Sequence, residues 1–166
     1  MTHEPPLLMD LMNKFTQAGL VQWISVRPAT RQAVEIIEET TARIGTGLEG
    51  DRYRGNADSK RQVTLIQAEH IAAVASFLGK TEIEPSLLRR NIVVKGINLY
   101  ALKNQQIQIG EAVLEMTGLC HPCSRMEAAL GQGGYNAMRG HGGITTRVIK
   151  EGKIKVGDSV TVLKSL

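Results

Sequence analysis

A chain of 166 residues, 42% hydrophobic but only 4% aromatic, can bury one core built from Ile, Val, Leu and Ala, but not two. Its net charge of +4, from 20 Lys and Arg against 16 Asp and Glu, is too mild to imply nucleic-acid binding. No apolar run could span a bilayer, and the start, MTHEPPLLMD, lacks a basic region followed by an apolar one, so neither a membrane anchor nor a secretory signal is expected and the default setting is cytoplasmic.

Residues 1–20 are expected to form a helical extension, with Asp10 to Ala18 as a short helix closed by Gly19. The domain proper is expected over 21–166. Val21–Val26 alternates and ends at Arg27-Pro28, which predicts a strand, and the β-branched run Val34–Thr41 predicts another, with a helix as the alternative. Gly45–Gly55 is a glycine-rich loop. Gln62–Ile66 predicts a strand leading into an Ala-rich amphipathic helix over Gln67–Leu78, stopped by Gly79. Pro85 opens a short helix through Leu88, and Asn91–Val94 predicts a buried strand. Gln106–Ile109 and Ala112–Thr117 flank a glycine turn and predict a hairpin. A helix is expected over Cys123–Leu130. The tail predicts strands at Ile144–Ile149, Lys153–Val156 and Ser159–Leu163, with Gly152 and Gly157 as hairpin turns. Many short strands with few helices favour a mainly β (α+β) fold, a β-barrel with peripheral helices.

The sharpest chemical feature is Cys120-His-Pro-Cys123, which holds both cysteines of the chain. In a reducing compartment a structural disulfide is not expected. A cysteine that enters a helix after a proline is placed where its thiolate is favoured. Three chemistries fit the motif. Dithiol exchange is one, although the surrounding pattern lacks βαβ alternation. A zinc site from Cys120, Cys123, His121 and His141 is another, although His121 lies between the two cysteines. The third is a single reactive cysteine that holds a soft metal or a sulfur atom. Arginines cluster near glycine loops, at Arg52, Arg54, Arg61, Arg89, Arg90, Arg125, Arg139 and Arg147, where guanidinium forks could take an anion or simply face solvent. Asp51 could orient an arginine or cap a turn. His70 falls within a predicted helix, where packing is the ordinary role.

Several stretches in order resemble the MOSC family, named for the C-terminal domain of molybdenum cofactor sulfurase. They are Gly47-Leu-Glu-Gly-Asp-Arg-Tyr53, Arg61–Ile66, Arg89-Arg-Asn-Ile-Val93, Cys120-His-Pro-Cys-Ser-Arg125 and Gly142-Gly-Ile-Thr-Thr-Arg-Val148, with the Gly152–Asp158 segment after them. The resemblance implies a MOSC-type β-barrel with one cysteine in a pocket. It implies the molybdenum cofactor (molybdopterin) as ligand, and Cys123, which follows Pro122, as both the molybdenum ligand and the catalytic residue. Arg89, Arg90, Asn91, Arg125 and Arg147 would hold the pterin and its phosphate, together with Gly50, Asp51 and Gly142. Relatives reduce N-hydroxylated compounds, and this sequence shows no flavin, haem or iron–sulfur module, so electrons would come from a donor protein. The alternative implied is a sulfur carrier with a persulfide on Cys123. It would be loaded by a separate cysteine desulfurase and would need no pyridoxal phosphate of its own.

Overall fold

The computed structural model describes residues 7–163. Residues 1–6 of the expected extension, and with them most of the stretch read against a secretory signal, lie outside the described residues, as do the last three. The described elements are α1 (Leu8–Met12), β1 (Gly19–Val26), β2 (Glu35–Ile37), β3 (Glu39–Arg43), β4 (Gly47–Leu48), β5 (Val63–Gln67), α2 (Ala68–Phe77), β6 (Ile92–Lys95), β7 (Gln106–Ile109), β8 (Ala112–Leu119), α3 (Ser124–Leu130), α4 (Gly134–Met138), β9 (Ile144–Lys150), β10 (Gly152–Lys155) and β11 (Ser159–Val162), with 3₁₀ turns at Pro85–Leu88 and Leu99–Leu102.

Seven strands close a barrel in the order β11-β7-β8-β9-β5-β6-β1, and β1 pairs back onto β11 through Gly19↔Val160 and Leu20↔Ser159. The fold is mainly β with a few helices, as expected. β2 continues the sheet beyond β1, and β10, β3 and β4 form a small second sheet. β5 and β6 are the parallel neighbours, joined by the crossover that carries α2. Parallel strands require such a crossover, and covering elements on their outer face.

The two-residue period of the strands divides the side chains between two cores. Leu65, Ile92 and Val94 point into the barrel and join Ile24, Ile107, Leu114 and Ile144. Their sequence neighbours Ile66 and Val93 point outward instead. There they pack under the helices against Val74, Leu88, Met126, Leu130 and Met138. The uninterrupted burial of β5 follows from this double coverage.

Several expectations are corrected. Gly19 does not close a helix: it begins β1, and a side chain there would press into Ile97. The segment between α1 and β1 lies along the barrel, with Phe15 against the core and Gln17 Nε2 donating to Gly96 O at 2.9 Å. The Val34–Thr41 run is two strands, interrupted at Glu38. Gly152 is not a hairpin turn, because β10 leaves β9 to pair with β3 (Gly152↔Ala42). A Cβ on Gly152 would meet the Glu111 backbone at 2.5 Å, so close approach is the reason for glycine there. Gly157 is a turn, at φ +94°, but the strand it opens pairs with β7 and β1 and not with β10.

Gly143 is the glycine on which the barrel wall depends most directly. It sits at φ +89°, and a Cβ would collide with Leu65 O. Gly143→Ala is therefore expected to destabilise the protein by at least about 2 kcal/mol, combining left-handed strain with a backbone clash. Urea unfolding of the variant checks this, and a midpoint equal to that of the parent would refute it.

Candidate functional site

β8 ends at Leu119 and hands the chain to the cysteine loop beside the start of β9. Cys120 is fixed there by its backbone: its N–H donates to Gly143 O at 2.8 Å, and its carbonyl lies so close to Gly142 that no Cβ would fit. The Cys120 side chain is buried, and its sulfur accepts a hydrogen bond from Arg61 Nη2 at 3.3 Å. Cys123 is exposed and free, and occupies the N-cap position of α3 with extended backbone, φ −127° and ψ 178°. Its carbonyl accepts from Met126 N–H at 2.9 Å, which starts the helix.

Arg90 faces both cysteines from the interior. Only 6% of it is exposed. Its Nε donates to Gly142 O and its Nη1 to Leu88 O, each at 2.8 Å. Burial lowers its pKa most, Arg61 and Arg27 add to that, and the nearby Cys120 and Cys123 oppose it. Arg90 and Gly142 are thus brought to the cysteine loop, where Arg90 Nη2 donates to no group among the described residues.

Arg89 turns the other way, because its backbone is left-handed at φ 57°. A non-glycine residue in that region is costly, and here it separates two consecutive arginines into different sites. Arg89 Nη1 donates to Gln32 O at 2.6 Å. Burial first, and then the charges of Arg27, Arg52 and Arg125, hold its pKa below the ordinary arginine value. Four arginines therefore share one region with a single opposing carboxylate among these influences, Asp51. Such crowding favours an anion in their midst.

Asp51 does both things expected of it. It takes Arg27 in a forked pair, Nε at 3.1 Å and Nη2 at 2.9 Å, and it accepts the N–H groups of Arg27 (2.7 Å) and Tyr53 (3.3 Å). Burial alone would raise its carboxyl pKa, but the bonds and charge of Arg27 bring it below the usual range. Gly50, at φ +89°, makes the turn that delivers Asp51. Asn91 is buried and fully engaged: Oδ1 accepts from Thr64 N–H and hydroxyl, while Nδ2 donates to Ser25 O and Asp51 Oδ1. Arg125 is the second residue of α3, exposed, two positions from Cys123. Arg147 is placed apart, on β9, where it forms a forked pair with Glu115 across the sheet at 2.8 and 3.0 Å.

His141 does not approach the cysteines as a ligand set requires. Its ring packs edge-on against His70 (4.8 Å) and Phe77 (5.4 Å), and its Nδ1 bonds Arg139 O. Among the described residues, no three His, Cys, Asp or Glu side chains group to hold a metal ion, so the zinc alternative has no ligand set. The cysteine loop follows β8 of an antiparallel β8–β9 pair and lies outside the one parallel β5–α2–β6 unit, which does not favour the dithiol-exchange alternative.

The family model described as MOSC domain matches residues 32–161. The chain belongs to the MOSC domain family. No curated protein matches it. Among solved structures, the YuaD protein from Bacillus subtilis superposes with a TM-score of 0.77 at 19% identity, covering 90% of this chain and 98% of that one. YiiM from Geobacillus stearothermophilus gives 0.71 at 15% identity (88% and 75% covered), and YiiM from Escherichia coli gives 0.70 at 17% (90% and 71%). At these identities the likeness shows the fold alone. No helix among the described residues is long and apolar enough to cross a membrane.

Within this MOSC domain, the sequence reading missed Arg27, which reads only as the end of a strand. The acidic residue it needs, Asp51, lies 24 positions away, and nothing local signals the pairing. Tyr100 was also missed. It lies in a 3₁₀ turn, with its ring edge-on to His70 at 5.2 Å and its hydroxyl toward Gly142 and Gly143.

Asp51→Asn is expected to cost about 3 kcal/mol, because it leaves Arg27 half-buried without its charge partner. A carboxyl pKa depressed by folding stabilises above the unfolded value and loses that contribution as pH falls through the folded one. The parent should therefore lose stability below about pH 4 along a limb that the variant lacks. Identical acid limbs in the two unfolding profiles would contradict this role.

Proposed function

We propose that this MOSC domain holds the molybdenum cofactor through Cys123. The observation that carries the proposal is an exposed free thiol beside a cluster of arginines with too few carboxylates to balance them. The donor set fits the group: a thiolate is a suitable ligand for a soft metal, and guanidinium forks suit a pterin phosphate. Cys123 would be the metal ligand and the catalytic residue. Arg125 and Arg52 would face the phosphate, while Arg90, held by Gly142, stabilises charge on the sulfur from the buried side; Arg89, turned away to Gln32 O, is left out of the set. Asp51, Gly50 and Asn91 position this set, and Arg147, engaged with Glu115, is left out of it. When bound, the cofactor supplies two-electron reduction, for which N-hydroxylated compounds are the proposed substrates. The electrons come from a donor protein, and the setting is the cytoplasm, where Cys120 and Cys123 remain free thiols.

Elemental analysis tests this on protein produced in cells that make the cofactor. Molybdenum near one per chain is expected in the parent and in Cys120→Ala, and a drop of at least about tenfold in Cys123→Ala. Equal retention by the two variants would refute it.

The exposure of Cys123 favours a second reading, because a tightly held cofactor is ordinarily enclosed. In that reading Cys123 carries a persulfide for metal–sulfur cofactor assembly. Incubation with a cysteine desulfurase and cysteine should then add the mass of one sulfur to Cys123, in protein that contains no molybdenum and turns over no N-hydroxylated base. A protein that accepts no sulfur would exclude this reading.

A further inference from the structure

A groove of about 440 Å³ opens beside Arg89. Its walls are the loop that carries Arg31 and Val34, the start of β2 at Ile36, the 3₁₀ turn at Leu87, and Ala129 of α3. The Arg89 bond to Gln32 O closes this assembly, tying the loop to the turn. Ile36 and Leu87 are 55% and 42% exposed, so two large aliphatic side chains stand at its edge without cover.

The rim is cationic. Arg31 and Arg89, which line it, form no ion pair among the described residues, and the charges of Arg52 and Arg125 act on Arg89 from nearby. Glu127, the carboxylate on the adjoining helix, is already occupied by the N–H groups of Gly133 and Tyr135. Arg31 and Arg89 both hold left-handed backbone, at φ 62° and 57°. Two non-glycine residues in that region on facing walls of one groove mark a constrained surface. The groove also leads to the thiol. Ala129 lines it, Arg125 stands four residues earlier on the same face of α3, and Cys123 caps that helix.

We infer that this groove is the docking surface for an acidic partner protein, which places an aliphatic side chain between Ile36 and Leu87 and carboxylates on Arg31 and Arg89. Arginine around an apolar centre is the composition of an interface whose encounter is steered by charge. The inference rests on the reading that Cys123 is served by another protein, the donor of electrons or sulfur, and the groove would align that donor with the thiol.

Fluorescence anisotropy of the full chain with a labelled acidic peptide, glutamate-rich around a central leucine, tests it. Arg31→Asn removes the charge while tolerating left-handed backbone, and Leu87→Asp alters an exposed side chain, so neither should impair folding. Each is expected to weaken binding about tenfold. Lys153→Ala, on β10, and Cys123→Ser should leave binding unchanged. The leucine-to-serine peptide should also bind several-fold more weakly.

Wild-type affinity in both groove variants would overturn the proposal. So would equal binding of the serine peptide, which would mean bare charge attraction, or displacement of the peptide by inorganic phosphate or duplex DNA with the same sensitivity to the variants. Molybdenum and sulfur loading of the parent protein, measured alongside its peptide binding, separates the two proposals. Loading without peptide binding overturns the groove alone, and peptide binding without loading overturns the role of Cys123 alone.

Discussion

Asp51 exposes no side-chain surface, yet it carries a charge, and the structure around it satisfies that charge from three directions. Arg27 arrives from the end of β1, Tyr53 from the loop after Gly50, and Asn91 from the start of β6. A buried carboxylate without partners would cost several kcal/mol. The chain is therefore held in the one arrangement that brings all three together. Asn91 extends the network to Thr64 on β5 and Ser25 on β1, so two barrel strands and the functional loop share one set of bonds. The positions of Arg89 and Arg90 follow from Asn91, to which they are joined in sequence.

The same geometry explains how one dipeptide serves two surfaces. The left-handed backbone at Arg89 sends its side chain out to the Gln32 loop, and the next residue turns inward to Gly142 and the cysteines. Arg90 is bound by two carbonyls and cannot swing, which suits a group that must stabilise charge at a fixed point. Gly142 and Gly143 allow this by omission. Side chains there would strike Cys120 O and Leu65 O, so the close packing of the cysteine loop on the barrel rim requires glycine.

Much of the barrel was legible in the sequence, because alternation and glycine turns report a two-residue period directly. The strands at Val21–Val26, Asn91–Val94, Gln106–Ile109 and Ala112–Thr117 and the helix stopped by Gly79 lie within one or two residues of their predicted bounds. What failed was long-range. Gly152 reads locally as a turn, but the strand after it pairs with β3, more than a hundred residues earlier. α4 was unseen because Gly131, Gly133 and Gly134 argue against a helix, whereas burial of Ala137 and Met138 under α2 and α3 holds one there. At the site, the motifs pointed to both cysteines, Arg89, Arg90, Asn91 and Asp51. They could not show that Arg147 pairs with Glu115 across β8 and β9, nor that Arg27 completes the Asp51 hub, because both facts depend on sheet register and loop closure.

X-ray absorption at the molybdenum edge tests the central claim most directly, using the parent and a Cys123→Ser variant, each reconstituted with excess cofactor. The account predicts one sulfur ligand more in the parent than in the variant, the difference being the Cys123 thiolate. The same sulfur shell in both proteins would show that Cys123 is not the metal ligand, and would contradict the account.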